Sequence, residues 1–345
     1  MKIAIHHRKN SFSDDWLKYC SDLDIEFEVV DCYTSNIVDR LRDCDALMWH
    51  FHHANCRDVL FAKQLIYSLE TSGKVVFPDF HTCWFFDDKL GQKYLLEAIE
   101  APFVPTKAFY DKKTALKWVE TATFPKVFKL RHGASSSNVQ LAETKHAARK
   151  LVQKAFGRGF SQYRPLSNLK ERWRKFRVGQ ADFKDVLKGV VRFGYTTDFD
   201  RILNKERGYV LFQDYISNKT FDLRVIVIGP KAFAIKRQIR PGDFRASGSG
   251  IIEYDKENFS EEIIQKSFEL AKKLKSKTLA LDYIIDKKPM LIEVNFGYTG
   301  LVYRPCEGFW DEQLHWHEGP FNPQHWMVDQ VIREVEASKT HAFGV

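Results

Sequence analysis

The stretch Leu279-Ala280-Leu281-Asp282-Tyr283-Ile284-Ile285-Asp286-Lys287-Lys288-Pro289-Met290-Leu291-Ile292-Glu293-Val294-Asn295 decides the fold. Two runs rich in branched residues flank a short charged turn, which reads as a β-hairpin. A turn centred on Lys287-Lys288 sets Asp282 opposite Glu293, with Cβ atoms roughly 4.5–5.5 Å apart. Period-two alternation places Ile284, Leu291 and Asn295 on the same face, so two carboxylates and an amide oxygen share apolar company. Like charges opposed there destabilise the hairpin unless a cation or a proton sits between them. All-oxygen ligands select a hard cation, and two carboxylates with positions left for phosphate oxygens and water suit Mg²⁺ better than a Ca²⁺ cage. In outline this is a magnesium-nucleotide site; the plainer reading is an acidic hairpin open to solvent.

Working outward, three β runs precede the hairpin, Tyr209 to Ile216, Leu223 to Ile228 and Ala232 to Ile239, followed by a helix from Glu261 to Lys275. Further upstream, the strand Lys126 to Leu130 runs into Arg131-His132-Gly133-Ala134-Ser135-Ser136-Ser137-Asn138-Val139. Small hydroxylated residues after a strand supply N–H groups and hydroxyls that close over phosphates, with a strand lysine to neutralise charge; a plain surface turn is the alternative. A second loop, Arg240 to Gly250, is glycine-rich and basic and contains Arg245. It reads as a substrate or phosphate loop, or as an ordinary surface loop.

Residues 1 to about 80 alternate apolar runs with helical spacing, the pattern of a parallel α/β unit. Ile3 to Ile5, Phe27 to Val30, Ala46 to Trp49 and Val75 to Phe77 read as strands, and Ser11 to Cys20, Asn36 to Cys44 and Asn55 to Thr71 as helices. No GxGxxG follows the first strand, which argues against a nicotinamide or flavin site. Ligands of such sheets bind beyond the carboxyl ends of the strands. Those ends read His6-His7-Arg8, His50-Phe51-His52-His53 and Asp79-Phe80-His81, so three strands are expected to deliver histidines to one edge. A polar substrate pocket, satisfied structural histidines and, more weakly, a zinc site are the readings open there.

Between the two halves, helices are expected at Asp87 to Ala98 and Lys113 to Glu120. The stretch from about Lys154 to Arg207 is basic, aromatic and irregular, an apparent insertion. Its densest run, Lys170 to Arg177, is either a solvated helix face or a surface for an anionic partner. Beyond Gly300 a tail holding Trp310, Trp316 and Trp326 reads as a packed cap.

Composition bounds the class. The 345 residues carry a formal net charge of +8, 44% hydrophobic and 28% charged residues, which excludes a disordered chain, a disulfide miniprotein, collagen and a coiled coil. The opening apolar run is three residues long, too short for a signal-peptide core, and no eighteen-residue apolar stretch follows, so a cytoplasmic protein without a membrane span is expected. Six cysteines without a CxxC read as reduced and structural. The Asn218-Lys219-Thr220 sequon has no meaning without a secretory signal.

Together these pieces resemble the ATP-grasp superfamily of carboxylate-amine ligases, most closely its ribosomal-protein glutamate ligase branch, from about Asp87 to Gly300 apart from the insertion. The resemblance implies an α/β fold of the α+β ATP-grasp kind. It implies a Rossmann-like N-terminal domain at 1–85, a central subdomain at 86–216 with the insertion at about 154–207, and a C-terminal subdomain at 217–345. The last two would clasp ATP. Lys89, in Asp87-Asp88-Lys89-Leu90, and Lys129 resemble the family's two phosphate lysines, and Ser136 and Ser137 its phosphate lid. By the same resemblance Gln213, Tyr215 and Ile216 hold adenine, Asp222 lies near the ribose, Arg224, Arg237 and Arg245 serve the reacting groups, and Asp282, Glu293 and Asn295 are metal ligands. Gln213 stands where a glutamate is commoner, and Asn138 where a glycine is.

The activity implied is ATP-dependent joining of a carboxylate to an amine through an acyl phosphate, with ADP and phosphate released. The cofactor is Mg²⁺, with Mn²⁺ as an alternative metal, and the substrates are small-molecule or peptide carboxylates and amines, among them a uronic acid, an amino acid or an acidic peptide. No nucleic acid partner is expected, and a homodimer is left open. Two other classes also stay open: a grasp-type kinase that phosphorylates an alcohol, and a non-catalytic nucleotide-binding regulator.

Overall fold

The computed structural model describes residues 1–53, 55–133, 138–161, 204–217, 220–239 and 251–342, with isolated positions between 162 and 250. Ser136, Ser137 and Arg245, the run Lys170 to Arg177 for the most part, and Asn218 and Lys219 of the sequon lie outside the described residues.

The chain begins with β1 (Lys2–His6), α1 (Phe12–Asp22), β2 (Glu26–Val30), α2 (Ile37–Arg40), β3 (Ala46–Trp49), α3 (Cys56–Thr71) and β4 (Val75–Phe77). The strands form one parallel sheet in the order β2-β1-β3-β4. Continuous apolar runs make such strands because both faces are covered, and Ile3, Ala4 and Ile5 are all fully buried. Ser11 caps α1 by accepting the Ser13 N–H, and Phe12, Trp16 and Cys20 recur at four-residue spacing on its buried side. The second expected helix is shorter than Asn36 to Cys44. Ile37, Leu41 and Cys44 are buried there, but the helix stops at Arg40.

Next come α4 (Phe80–Cys83), capped by Asp79, and α5 (Lys89–Ala98), whose cap is Asp88, bonded to the Gly91 N–H at 2.9 Å. The helix expected from Asp87 therefore starts two residues later. Then β5 (Thr106–Phe109), α6 (Lys112–Thr121), β6 (Lys126–Lys129), β7 (Val139–Ala142), α7 (Lys145–Ala155) and β8 (Val210–Asp214) build an antiparallel sheet in the order β5-β8-β6-β7. Phe128, Phe212, Ala115, Val119 and Val152 form its core against α6 and α7.

The third sheet is antiparallel and seven-stranded. It comprises β9 (Phe221–Ile228), β10 (Lys231–Gln238), β11 (Ile252–Glu253), β12 (Thr278–Asp286), β13 (Lys288–Asn295), β14 (Gly308–Asp311) and β15 (Trp316–Glu318), in the order β13-β12-β9-β10-β14-β15 with β11 on β10. Helix α8 (Glu261–Lys273) covers one face, against Leu223, Val225, Leu279, Leu281 and Tyr283. Helix α9 (Pro323–Ala342) and the N-terminal unit cover the other. There Ile226, Phe233 and Ala280 share one core with Ile3, Ile5, Trp16, Trp326 and Met327. The tryptophan tail thus caps both faces, Trp310 on one and Trp326 on the other.

The hairpin pairs Asp282 with Glu293 and Ala280 with Asn295 as expected, but by a different route. Its turn is one residue tighter, with only Lys287 (φ +57°) between Asp286 and Lys288. A bulge between Tyr283 and Asp282 then shifts the register back by one. The bulge also corrects the expected placing of Leu291. It pairs with Tyr283 and is buried in the α8-side core, away from the Glu293 face.

Candidate active site

Period-two alternation sorts the third sheet. Even positions of β9 and β12 and odd positions of β10 face the N-terminal unit, where Ile226, Ala280 and Phe233 are core. Further along, the same face carries Asp222 and Arg224 on β9, Arg237 on β10 and Asp282 on β12. Register aligns them in rows: Glu293 opposite Asp282, Asp282 opposite Arg224, and Asp222 opposite Arg237.

The charges pair accordingly. Arg224 binds Asp282 through two nitrogens, and a terminal nitrogen of Arg237 reaches Asp282 Oδ1 at 3.0 Å. Arg237 also holds Asp222, whose side chain is fully buried, through both carboxylate oxygens. Burial works against the charge of Asp282, yet Arg224 and then Arg237 hold its carboxyl at about 2. For Asp222, burial outweighs Arg237 and pushes the carboxyl up.

Lys89 opens α5 and Lys129 ends β6, and both are buried. Lys89 Nζ donates to the Gly133 carbonyl at 2.6 Å and stands 3.4 Å from Glu293 and 4.0 Å from Asp87. Burial lowers its charge affinity, but Glu293 and Asp87 keep it above the ordinary lysine value. Lys129 Nζ donates to the Ile292 carbonyl at 3.2 Å, and burial pushes it down to about 8 despite Glu293.

The ends of the 134–137 loop are anchored by residues that sequence reading missed in this role. Asp87 Oδ1 accepts the Gly133 N–H at 2.8 Å, the Tyr209 hydroxyl accepts the Arg131 N–H at 2.5 Å, and Glu206 binds both the backbone and the ring of His132. Asn138 Nδ2 donates to the His132 carbonyl across the loop's neck. Gly133 has φ +118°, and a Cβ on it would come within 2.5 Å of Asn138 Nδ2. The Asp87-Asp88-Lys89 run signals Asp87 in the sequence; Glu206 and Tyr209 have no local signal.

The two lysines and the acid-arginine lattice converge on one cavity of about 250 Å³ between the second and third sheets. Its lining includes Lys89, Lys129, Gln213, Tyr215, Ile216, Asp222, Arg224, Arg237, Asp282, Glu293 and Asn295, every site residue expected from sequence that the structure describes. At the β8 end Val104, Val127, Val139, Ile284 and Ile292 supply an apolar slot. Gln213 there donates to Thr106 Oγ1 at 3.1 Å. The donor set of Asp282, Glu293 and Asn295 is all oxygen and fits Mg²⁺ in kind. Four cations, Lys89, Lys129, Arg224 and Arg237, face four carboxylates, Asp87, Asp222, Asp282 and Glu293, so a polyanion accompanied by divalent cations enters without net charge imbalance.

The expectation that three strands bring histidines to one edge holds for β3 alone. His50, His52 and His53 line the cavity. His6 instead accepts the Cys32 N–H and packs on Tyr33 and Trp49, His7 turns to Ser13, and His81 is exposed on α4. The zinc reading falls away, since among the described residues no three His, Cys, Asp or Glu groups could hold a metal. All six cysteines are buried and unbonded. No helix among the described residues is long and apolar enough to cross a membrane.

The cleft between the two antiparallel sheets is lined by two lysines on one side and an acid-arginine lattice on the other, and solved ATP-grasp structures share the fold around it. An ATP-grasp RimK domain protein from Sphaerobacter thermophilus superposes with a TM-score of 0.55 at 13% identity, covering 96% of this chain and 100% of the other. D-alanine–D-alanine ligase from Bacillus anthracis complexed with ATP gives 0.57 at 13% identity, covering 99% of both chains. The ATP-grasp ligase PsnB, solved with precursor peptide PsnA2 and AMPPNP, gives 0.53 at 12%, covering 97% and 98%. No curated protein sequence matches the chain. Residues 190–301 match the model of the RimK-like ATP-grasp domain, and the chain as a whole has the fold of its ATP-grasp structural neighbours.

Proposed function

We propose that the protein is an ATP-dependent ligase that joins a carboxylate to an amine through an acyl phosphate and releases ADP and phosphate. The observation that carries this reading is the lattice of Glu293, Asp282, Arg224, Arg237 and Asp222 on one sheet, facing Lys89 and Lys129 across one cavity. We assign the units 1–85, 86–216 and 217–345 to it, with the nucleotide held between the last two.

Gln213, Tyr215 and Ile216 and the apolar slot hold the base, and Lys89 and Lys129 hold the phosphates, with Ser136 and Ser137 closing over them. Asp282, Glu293 and Asn295 would hold Mg²⁺, which would supply charge neutralisation to the phosphates; Mn²⁺ has the same oxygen preference. The substrate carboxylate attacks the terminal phosphorus and ADP leaves; the amine then attacks the acyl carbon and phosphate leaves. Arg237, oriented by Asp222, stabilises the transferring phosphoryl group, Arg224 orients the attacking carboxylate, and Arg245 contributes from its loop. Lysines and arginines placed in advance supply that stabilisation without reorganisation.

The substrates proposed are a uronic acid, an amino acid or an acidic peptide with an amine partner. The test is ADP and phosphate release from Mg-ATP against a panel of these compounds with mass detection, using Glu293→Gln as control. A product lighter by one water than its two substrates supports the ligase. A stable phosphorylated alcohol would replace it with a kinase, and ATP binding without turnover on any substrate would leave a nucleotide-binding protein.

A further inference from the structure

The roles assigned above leave the cavity wall built by the N-terminal sheet without a task. β1 and β3 are parallel neighbours with His6 beside Trp49, so Arg8 and the His50–His53 segment leave the sheet side by side. His50 is more than nine-tenths buried and stacks on Phe12, with ring centroids 3.7 Å apart at an interplanar angle of 4°. Its Nδ1 accepts the Phe12 backbone N–H at 3.2 Å. That bond fixes the tautomer, leaving the hydrogen on Nε2. Nε2 has no hydrogen-bond partner among the described residues, and it looks towards Gly297, where a Cβ would stand 3.8 Å away. His50 and Gly297 both line the cavity, so this N–H is a buried donor offered to whatever fills it.

His52 and His53 share the wall, and Arg8, which does not itself line the cavity, stands close enough for its charge to reach them. The His52 and His53 rings lie 4.0 Å apart and are kept neutral by burial, which lowers them to about 4 and about 3. Asp58, which pins the His52 N–H at 2.7 Å, gives its other oxygen to the Tyr33 hydroxyl, so this carboxylate is spent. Arg8 is half-buried, its bonds to Ser13 are made by its backbone, and its guanidinium has no carboxylate partner among the described residues. Its charge is felt by His50, His52 and His53 alike.

We propose that the His50 Nε2–H, the His52–His53 pair and Arg8 form a carboxylate-binding subsite, so that a substrate bearing two carboxylates is held by one at this wall and phosphorylated at the other beside Arg224 and Arg237. A fixed N–H donor and an unpaired guanidinium attract an anionic oxygen and repel an ammonium group. The inference rests on the ligase reading and narrows its acid substrate to a dicarboxylate.

Glutarate and butyrate, which lacks the second carboxylate, are titrated by calorimetry at millimolar concentration into protein saturated with Mg-AMPPNP. Glutarate is expected to bind more tightly by about tenfold or more, the worth of a charge-assisted hydrogen bond. Arg8→Gln should remove that advantage and leave butyrate unchanged, while His50→Gln, which keeps an N–H near the same place, should retain more glutarate binding than His50→Leu. Melting curves and AMPPNP affinity show which variants are folded, and Arg8→Gln alone decides if the His50 variants are not. Equal binding of the two acids to the wild type, no binding of glutarate, or an unchanged ratio in Arg8→Gln would overturn the subsite. Failure of AMPPNP to bind would instead remove the ligase reading, and glutarate titrated into nucleotide-free protein would still decide the subsite.

Discussion

Arg224 grips Asp282 with both arms of its guanidinium, Nε on Oδ1 and a terminal nitrogen on Oδ2, each at 2.5 Å. Both groups are largely buried, so removing Arg224 leaves the Asp282 carboxylate with only the single 3.0 Å contact from Arg237 in place of three. Arg224→Ala is expected to lower the unfolding free energy of the nucleotide-free protein by about 3 kcal/mol in a urea titration. A loss within error would show that the pair is already solvated.

The same grip fills the oxygens that a cation needs. Mn²⁺ followed by electron paramagnetic resonance is expected to bind the nucleotide-free protein weakly, and far more tightly once an ATP analogue offers phosphates to the arginines. Tight Mn²⁺ binding without nucleotide would contradict the assigned ligand set.

Lys129 has a folded pKa of about 8, below the ordinary lysine value of 10.5, because burial disfavours its charge. The destabilisation is therefore full below about pH 8 and is relieved as pH rises from there towards 10.5. Lys129→Met should raise nucleotide-free stability at pH 7 by ~1–3 kcal/mol and flatten the alkaline rise, while weakening ATP binding. Phosphates beside Lys129 restore its charge. Calorimetry at pH 8 in buffers of different ionisation enthalpy should thus detect uptake of about half a proton on ATP binding.

Gly133→Ala meets both a φ of +118° and the Asn138 amide. Moving this residue disturbs Lys89, which bonds its carbonyl, and Asp87, which bonds its N–H. A fall in ATP affinity of about tenfold is expected, from roughly 1–2 kcal/mol of strain and misplacement. Unchanged affinity would detach this loop neck from nucleotide binding.

Lys277 gives the contrasting case. It ties Glu334 on α9 to the Val76 carbonyl on β4 and does not line the cavity. Lys277→Ala should cost about 1–2 kcal/mol of stability and leave the affinity for AMPPNP unaltered.

What was legible in the sequence follows from locality. Strands β1, β3 and β4 announce themselves because burial on both faces demands unbroken apolar runs, and Asp282, Glu293 and Asn295 share a face through two-residue periodicity. The Leu291 placement failed because a one-residue turn and a bulge offset each other, and neither changes the composition of the strands. The histidine edge was overread. Whether His6 meets a ligand or the Cys32 N–H is settled by a neighbouring strand, which local sequence does not encode. The bonds of Tyr209 to Arg131 and of Glu206 to His132 span more than seventy residues and leave no trace in any short window.

The shared core of Ile3, Ile5 and Trp16 with Trp326, Met327 and Val331 bears on how the chain is made. During translation the first sheet emerges early, with one apolar face lacking its cover. Helix α9 begins about 250 residues after the last strand of that sheet, on the order of tens of seconds at ribosomal speed. Through that interval the nascent N-terminal unit exposes a greasy, half-finished surface. Its yield in a cell is then expected to depend on chaperone supply during synthesis as well as on the equilibrium stability of the finished protein.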